Sequence, residues 1–269
     1  MTPGSGHWAM WPDHPLLIPL VLAVPLVLYL AGWWRLCRSG RPEPLRLLAF
    51  LAGVNVLVLA LVSPLHHVAY EYLFSAHMVQ HVLVGDIAPL LLVLGVSGPL
   101  TAMLPRWLPA LAGPRWLAFV VWTAVTAGWY VPALFERALS TPWLHVLMQT
   151  SFLLAGLMAW AHIVGVVPRR ASPGARAAFA LGLMAAGTVV GEWLFLSGPL
   201  YDVYIDQPER LLGLTPTADQ TKAALIMMSE GMVTMVTAAA LLMWAHVDRA
   251  ADAPGVTSSP PCAPPGSSR

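Results

Sequence analysis

Leu16–Leu30 reads LLIPLVLAVPLVLYL, without one charged side chain, and six further apolar runs of similar or greater length follow it along the chain. A stretch of about 20 apolar residues spans a hydrocarbon core of roughly 30 Å. No water is available there, so the backbone must satisfy its own polar groups, as a helix or a closed barrel. The runs are continuous rather than ten-residue alternations, which selects helices. The chain is 58% hydrophobic and 10% charged, against about 25% charged in a soluble domain. The expected fold is an all-α integral membrane protein, solvated by the lipid bilayer.

With a window of about 19 residues, the spans fall at roughly 15–34, 45–63, 70–97, 115–135, 144–167, 175–197 and 219–247. Pro19, Pro25 and Pro89 lie inside these runs and should kink them. The domain reading has an outer N-terminal segment (1–14), a seven-helix transmembrane domain (15–249) and a cytoplasmic tail (250–269). The tail, AADAPGVTSSPPCAPPGSSR, has too little apolar matter to bury a core and is expected to be disordered. The N-terminus has no basic region of the kind that opens a signal peptide, so the first run is expected to stay as a span. Cys37 and Cys262 fall in a loop and the tail, where no disulfide framework is expected.

Orientation comes from basic residues in short loops. With seven spans, Arg35, Arg38, Arg41, Arg46, Arg106, Arg115, Arg169, Arg170, Arg176, Arg249 and Arg269 fall on one side. Arg137, Arg210 and Lys222 fall on the other. The N-terminus is therefore predicted outside and the C-terminus inside.

On that topology the unusual polar groups gather in one leaflet. His77 and His81 lie in the outer half of the third span, with His66 and His67 at the outer end of the second. His145 opens the fifth span, with Gln149 one turn deeper. Glu192 lies near the outer end of the sixth. Asp219 and Gln220 open the seventh, with Met227, Met228 and Glu230 below them. His77 and His81 are four residues apart and share a helix face. Two imidazoles so spaced can grip one metal ion. Met78 lies within about 100° of both on a 3.6-residue helix. His77, Met78, His81, His145, Met227 and Met228 are the candidate ligands. His66, His67, Gln149, Glu192, Asp219, Gln220 and Glu230 are supporting polar groups. Imidazole with thioether and no thiol favours copper.

Each of these residues also has a plainer reading. A lone histidine in a membrane helix can serve only to bond a neighbouring helix. Methionine commonly fills gaps in packing, and Asp219 can be a helix N-cap. The i, i+4 histidine pair is harder to dismiss, because ionisable groups in a membrane are costly. Asp86 falls on the side of its helix opposite His77, as an interhelical partner or part of a second site.

The segment SPLHHVAYEYLFSAHMVQHVLVGDIAPLLLVLG (Ser63–Gly95) resembles the signature of the multi-span CtaG family of cytochrome c oxidase assembly factors. TPWLHVLMQTSFLLAGLMAW (Thr141–Trp160) and GPLYDVYIDQPERLLGLTPTADQTKAALIMMSEG (Gly198–Gly231) look like two further family blocks. The resemblance implies a multi-pass protein of the bacterial inner membrane that supports copper insertion into a haem–copper oxidase, with an oxidase subunit as partner. Carried over, His77, Met78 and His81 fall on the first motif, His145 and Gln149 on the second, and Asp219 and Gln220 on the third. Two positions depart from the pattern. Thr150 stands where the second block commonly has a further histidine, and Met227-Met228 stands where the third commonly reads Met-Trp.

Two other readings use the same residues. A proton or small-ion transporter would relay through Glu192, Asp219, Glu230 and Asp86. A membrane haem protein would pair His77 with His145. No nucleophile–base pair or phosphate loop is present, so neither an enzyme nor a nucleic-acid partner is expected.

Overall fold

The computed structural model describes residues 17–40, 43–104, 107–167 and 171–251. The N-terminal segment 1–14 and the tail from 252 onward, with Cys262, lie outside the described residues. Among the described residues the regular elements are helical, and no strand occurs. The principal helices are α1 (Leu17–Arg38), α2 (Pro44–Val62), α3 (Pro64–Glu71), α4 (Phe74–Val96), α5 (Arg115–Trp129), α6 (Pro132–Ser140), α7 (Pro142–Val164), α8 (Pro173–Leu196) and α9 (Pro216–Ala251). Six of them begin on a proline. The ring presets the helical φ, and its missing N–H costs nothing in the first turn.

Five helices, α2, α4, α7, α8 and α9, are long and apolar enough to cross a membrane. The pair α5 and α6 makes a sixth if taken as one span, but it bends by 77° at the break. The expected unbroken span at 115–135 therefore ends early, at Trp129. Pro132 explains this, because it excludes the residue before it from helical backbone, and Val131 is extended with ψ 121°. Helix α1 occupies the first expected run and carries Pro25 inside it; its first side chains, Pro19 among them, are outside the described residues. The third expected span also starts later than predicted. Tyr70 belongs to the short helix α3, and α4 begins at Phe74.

Helix α4 is the axis of the bundle, packed by α2, α7 and α9. Its middle is not α-helical. Leu83–Ile87 forms a π turn, in which the Ala88 N–H reaches back to the Leu83 carbonyl. Pro89 supplies the cause: it has no N–H to return to the Gly85 carbonyl four residues earlier. That carbonyl instead faces α7 at Gly156. A Cβ on Gly156 would lie 1.9 Å from the Gly85 oxygen, so only glycine admits the approach.

The buried apolar residues form one large cluster around Met78, Phe135, Met148 and Tyr201, and a second around Trp160, Phe179 and Leu183. The buried histidines His77, His81 and His145 are embedded in the first, against Phe135, Phe152 and Tyr70.

Candidate functional site

Asp219 fixes the start of the helix that carries His77 and His81. Its carboxylate accepts the Phe74 N–H at 2.7 Å and the Ser75 N–H at 3.1 Å, and it also accepts the Ser75 hydroxyl. Those N–H groups are orphan donors at the start of α4. Asp219 is thus a cap for a different helix from its own, and it ties α9 to the turn that leads into His77. Gln220 acts similarly. Its amide donates to the Leu194, Ser197 and Gly198 carbonyls and its oxygen accepts the Leu200 N–H, pinning the end of α8.

His77 is fully buried. Its Nδ1 lies 3.2 Å from the Ala69 carbonyl and 3.1 Å from the Tyr204 hydroxyl. Tyr204 donates its own proton to the same carbonyl at 2.7 Å. A carbonyl only accepts, so Nδ1 carries the proton and the lone pair is on Nε2. That lone pair points at His81 Nε2, 2.9 Å away. The other nitrogen of His81 lies 3.2 Å from the Tyr130 hydroxyl, which is also 3.0 Å from Met78 Sδ. His81 therefore has two settings. With Nε2 protonated it donates to His77, and Tyr130 donates to Nδ1. With Nδ1 protonated it donates to Tyr130, Tyr130 turns its proton to the Met78 sulfur, and both Nε2 lone pairs face one point. Two imidazole nitrogens on one tetrahedral metal sit about 3.3 Å apart, close to the observed separation. Partners behind a metal-binding histidine fix its tautomer and ring orientation in this way.

A second branch runs through glutamines. The Ala60 carbonyl accepts from Gln80 Nε2 at 2.8 Å, which orients that amide. The same nitrogen donates to His66 Nδ1 at 2.8 Å, and the Gln80 oxygen accepts from Gln149 Nε2 at 3.1 Å. Gln149 Nε2 in turn donates to His145 Nε2 at 3.1 Å. The His145 ring stacks on Tyr70, with centroids 5.3 Å apart, and lies 5.7 Å from the His77 ring. Two buried atoms of this branch, His66 Nε2 and Gln149 Oε1, have no hydrogen-bond partner among the described residues. Burial pushes His66 down to about 4, and the neighbouring His67 adds to the effect.

The other expected residues separate. Met78 and Met227 are buried and line one cavity with His81. Met228 instead packs against Gly191 of α8. His67 stands apart, half-buried, with Nδ1 3.8 Å from Glu71. Glu192 is exposed on α8. The Glu230 side chain lies outside the described residues. Thr150 is exposed on α7. Asp86 lies within the π turn. On an uninterrupted helix it lies about 140° from His81, and the wider π turn that contains it narrows that angle. Asp86 and His81 line the same cavity.

Sequence reasoning missed Tyr70, Tyr130, Tyr204 and Gln80, which hold the imidazoles in place. Gln80 carried a signal, as a polar residue one position before His81 in an apolar run. The tyrosines carried none. Among the described residues no group of three or more His, Cys, Asp or Glu side chains is arranged to hold a metal ion. The arrangement is a pair of facing imidazoles with His145 nearby, its Nε2 engaged by Gln149.

The family model described as "cytochrome c oxidase caa3 assembly factor (Caa3_CtaG)" matches residues 27–249. Uncharacterized proteins of Mycobacterium bovis and Mycobacterium tuberculosis are each 30% identical over 82% of this chain and 37% of their own length. An uncharacterized protein of Mycobacterium leprae is 33% identical over 55% of this chain and 26% of its own. The chain thus spans about a third of the length of these relatives. No solved structure matches it. The chain belongs to the caa3-type CtaG family of cytochrome c oxidase assembly factors.

Proposed function

We propose that the protein takes up copper as cargo between His77 and His81, with His145 as the third ligand, and hands it to a subunit of a haem–copper oxidase during assembly. The observation that carries this reading is the His77–His81 pair, with Nε2 atoms 2.9 Å apart and both Nδ1 atoms backed by fixed partners. His145 joins by giving up its contact with Gln149, whose oxygen is already without a partner. Met78 adds a soft thioether beside the pair, which favours copper over harder metals. The role is binding and release, not catalysis of bond-making.

In this reading the chain crosses the bacterial inner membrane seven times, with α1 as the first span and the bent α5–α6 pair as the fourth. The N-terminus lies outside, and the histidine cluster faces the outer leaflet. The arginine distribution supports that orientation. The test is deletion of the protein, followed by isolation of the oxidase. Assembly by copper delivery predicts an oxidase present in the membrane but depleted in copper and activity. An oxidase with normal copper content and activity would discard the reading.

A further inference from the structure

Below His81 a partly open cavity of about 50 Å³ lies between α4, α5, α7, α8 and α9. Along α7 its lining runs from Phe152 to Ile163, about 16 Å at the helical rise. It is therefore a shaft parallel to the bundle axis. Gly85, Gly187 and Gly231 leave it open from three helices. Aromatic and aliphatic side chains, Trp122, Trp160 and Leu183 among them, make up most of the wall.

The polar and sulfur lining is selective. Met78 comes from α4, Met184 from α8 and Met227 from α9, so thioethers from three helices line it. Asp86, brought round by the π turn, contributes the carboxylate, and Thr126 and Thr234 contribute hydroxyls. Calcium or magnesium would need six or more oxygens or retained waters, which this wall does not offer. Thioethers prefer Cu(I), and one carboxylate matches one positive charge in a region of low polarity.

We propose that this shaft is a second Cu(I) station in line with the imidazole pair, with Met184 and Met227 as its own ligands, Met78 shared between the stations, and Asp86 as the counter-charge. The proposal rests on the copper reading of the histidine pair. Copper passes between the stations as Cu(I) by exchange of sulfur for nitrogen ligands. No electron is transferred and no covalent bond of the protein changes.

The test is anaerobic titration of the full chain in lipid nanodiscs with Cu(I), against a chromophoric Cu(I) chelator. Three proteins are compared: the parent, a Met184→Leu/Met227→Leu variant and a His77→Ala/His81→Ala variant. Leucine keeps the volume of methionine at small cost, so the first variant should fold. The parent should hold two equivalents. The leucine variant should lose one and keep the imidazole-bound copper. The alanine variant should lose the other and keep the thioether-bound copper. A leucine variant that matches the parent in stoichiometry and affinity would overturn the second station and leave the histidine site standing. An alanine variant that matches the parent would instead overturn the histidine site. A second readout uses selenomethionine-labelled His77→Ala/His81→Ala protein. Copper-edge X-ray absorption should show selenium in the copper shell, and a shell without selenium would overturn the proposal.

Discussion

His77 is buried and His66 half-buried in one cluster, and their surroundings differ. Both nitrogens of His77 are engaged, one by Ala69 and Tyr204 and the other by His81. His66 has Nδ1 held by Gln80 and Nε2 buried without a partner, and Gln149 Oε1 nearby is in the same condition. An unpaired buried polar atom costs about 1–3 kcal/mol, and native proteins carry few. The His77 branch is preset: its tautomer is dictated by fixed acceptors, and only a proton on His81 and Tyr130 need move. The glutamine branch holds spare hydrogen-bonding capacity beside His145. In the proposed copper role the first branch would grip the ion and the second would adjust around it.

The largest test of that division is steric. Gly156→Ala would drive a methyl into the Gly85 carbonyl and force α7 away from the π turn. We expect destabilisation of about 3 kcal/mol or more, read as a lower unfolding midpoint or loss of folded protein. A variant as stable as the parent would show that the π turn does not depend on this contact. A smaller effect is expected of Tyr204→Phe, which leaves the fold packed but removes the hydroxyl behind His77. Loss of such a partner typically costs 10–100-fold in metal affinity, so Cu(I) affinity should fall by about tenfold. In the other branch His66→Gln should change that affinity less than threefold, and an equal loss in both variants would erase the distinction between preset and adjustable branches.

The smallest effect is in pH. His66 titrates near 4 in the folded protein, against an ordinary value of 6.5. A folded value below the unfolded one means that the neutral imidazole stabilises the fold above pH 6.5. That contribution is lost as pH falls from 6.5 through 4. The unfolding midpoint of the parent should therefore drop across this window, and His66→Gln should flatten part of the drop. Identical slopes would indicate that other groups carry it.

The helical class and the apolar runs were legible because burial in lipid leaves an unambiguous composition. The His77–His81 pair was legible for a related reason, since four residues on an α-helix return to the same face. Asp86 was not. Its placement depends on a break in the 3.6-residue period, and that break needs both Pro89 in sequence and Gly156 on another helix. Asp219 was half legible: an N-cap was the right chemistry, but the helix it caps starts at Phe74, 145 residues earlier. Tyr204 sits between the long runs and Tyr130 lies within the one at 115–135; both look like any aromatic residue, and only the folded chain brings them behind the imidazoles. The break in the fourth run was not legible, because hydropathy continues past Trp129 while Pro132 redirects the backbone.

The central claim is that His77 and His81 hold copper together. It is tested most directly by the copper retained by purified, fully loaded protein after removal of unbound metal, compared with the His77→Ala/His81→Ala variant. The account predicts that the variant retains one equivalent of copper per chain fewer than the parent. Equal copper in the two proteins would contradict it.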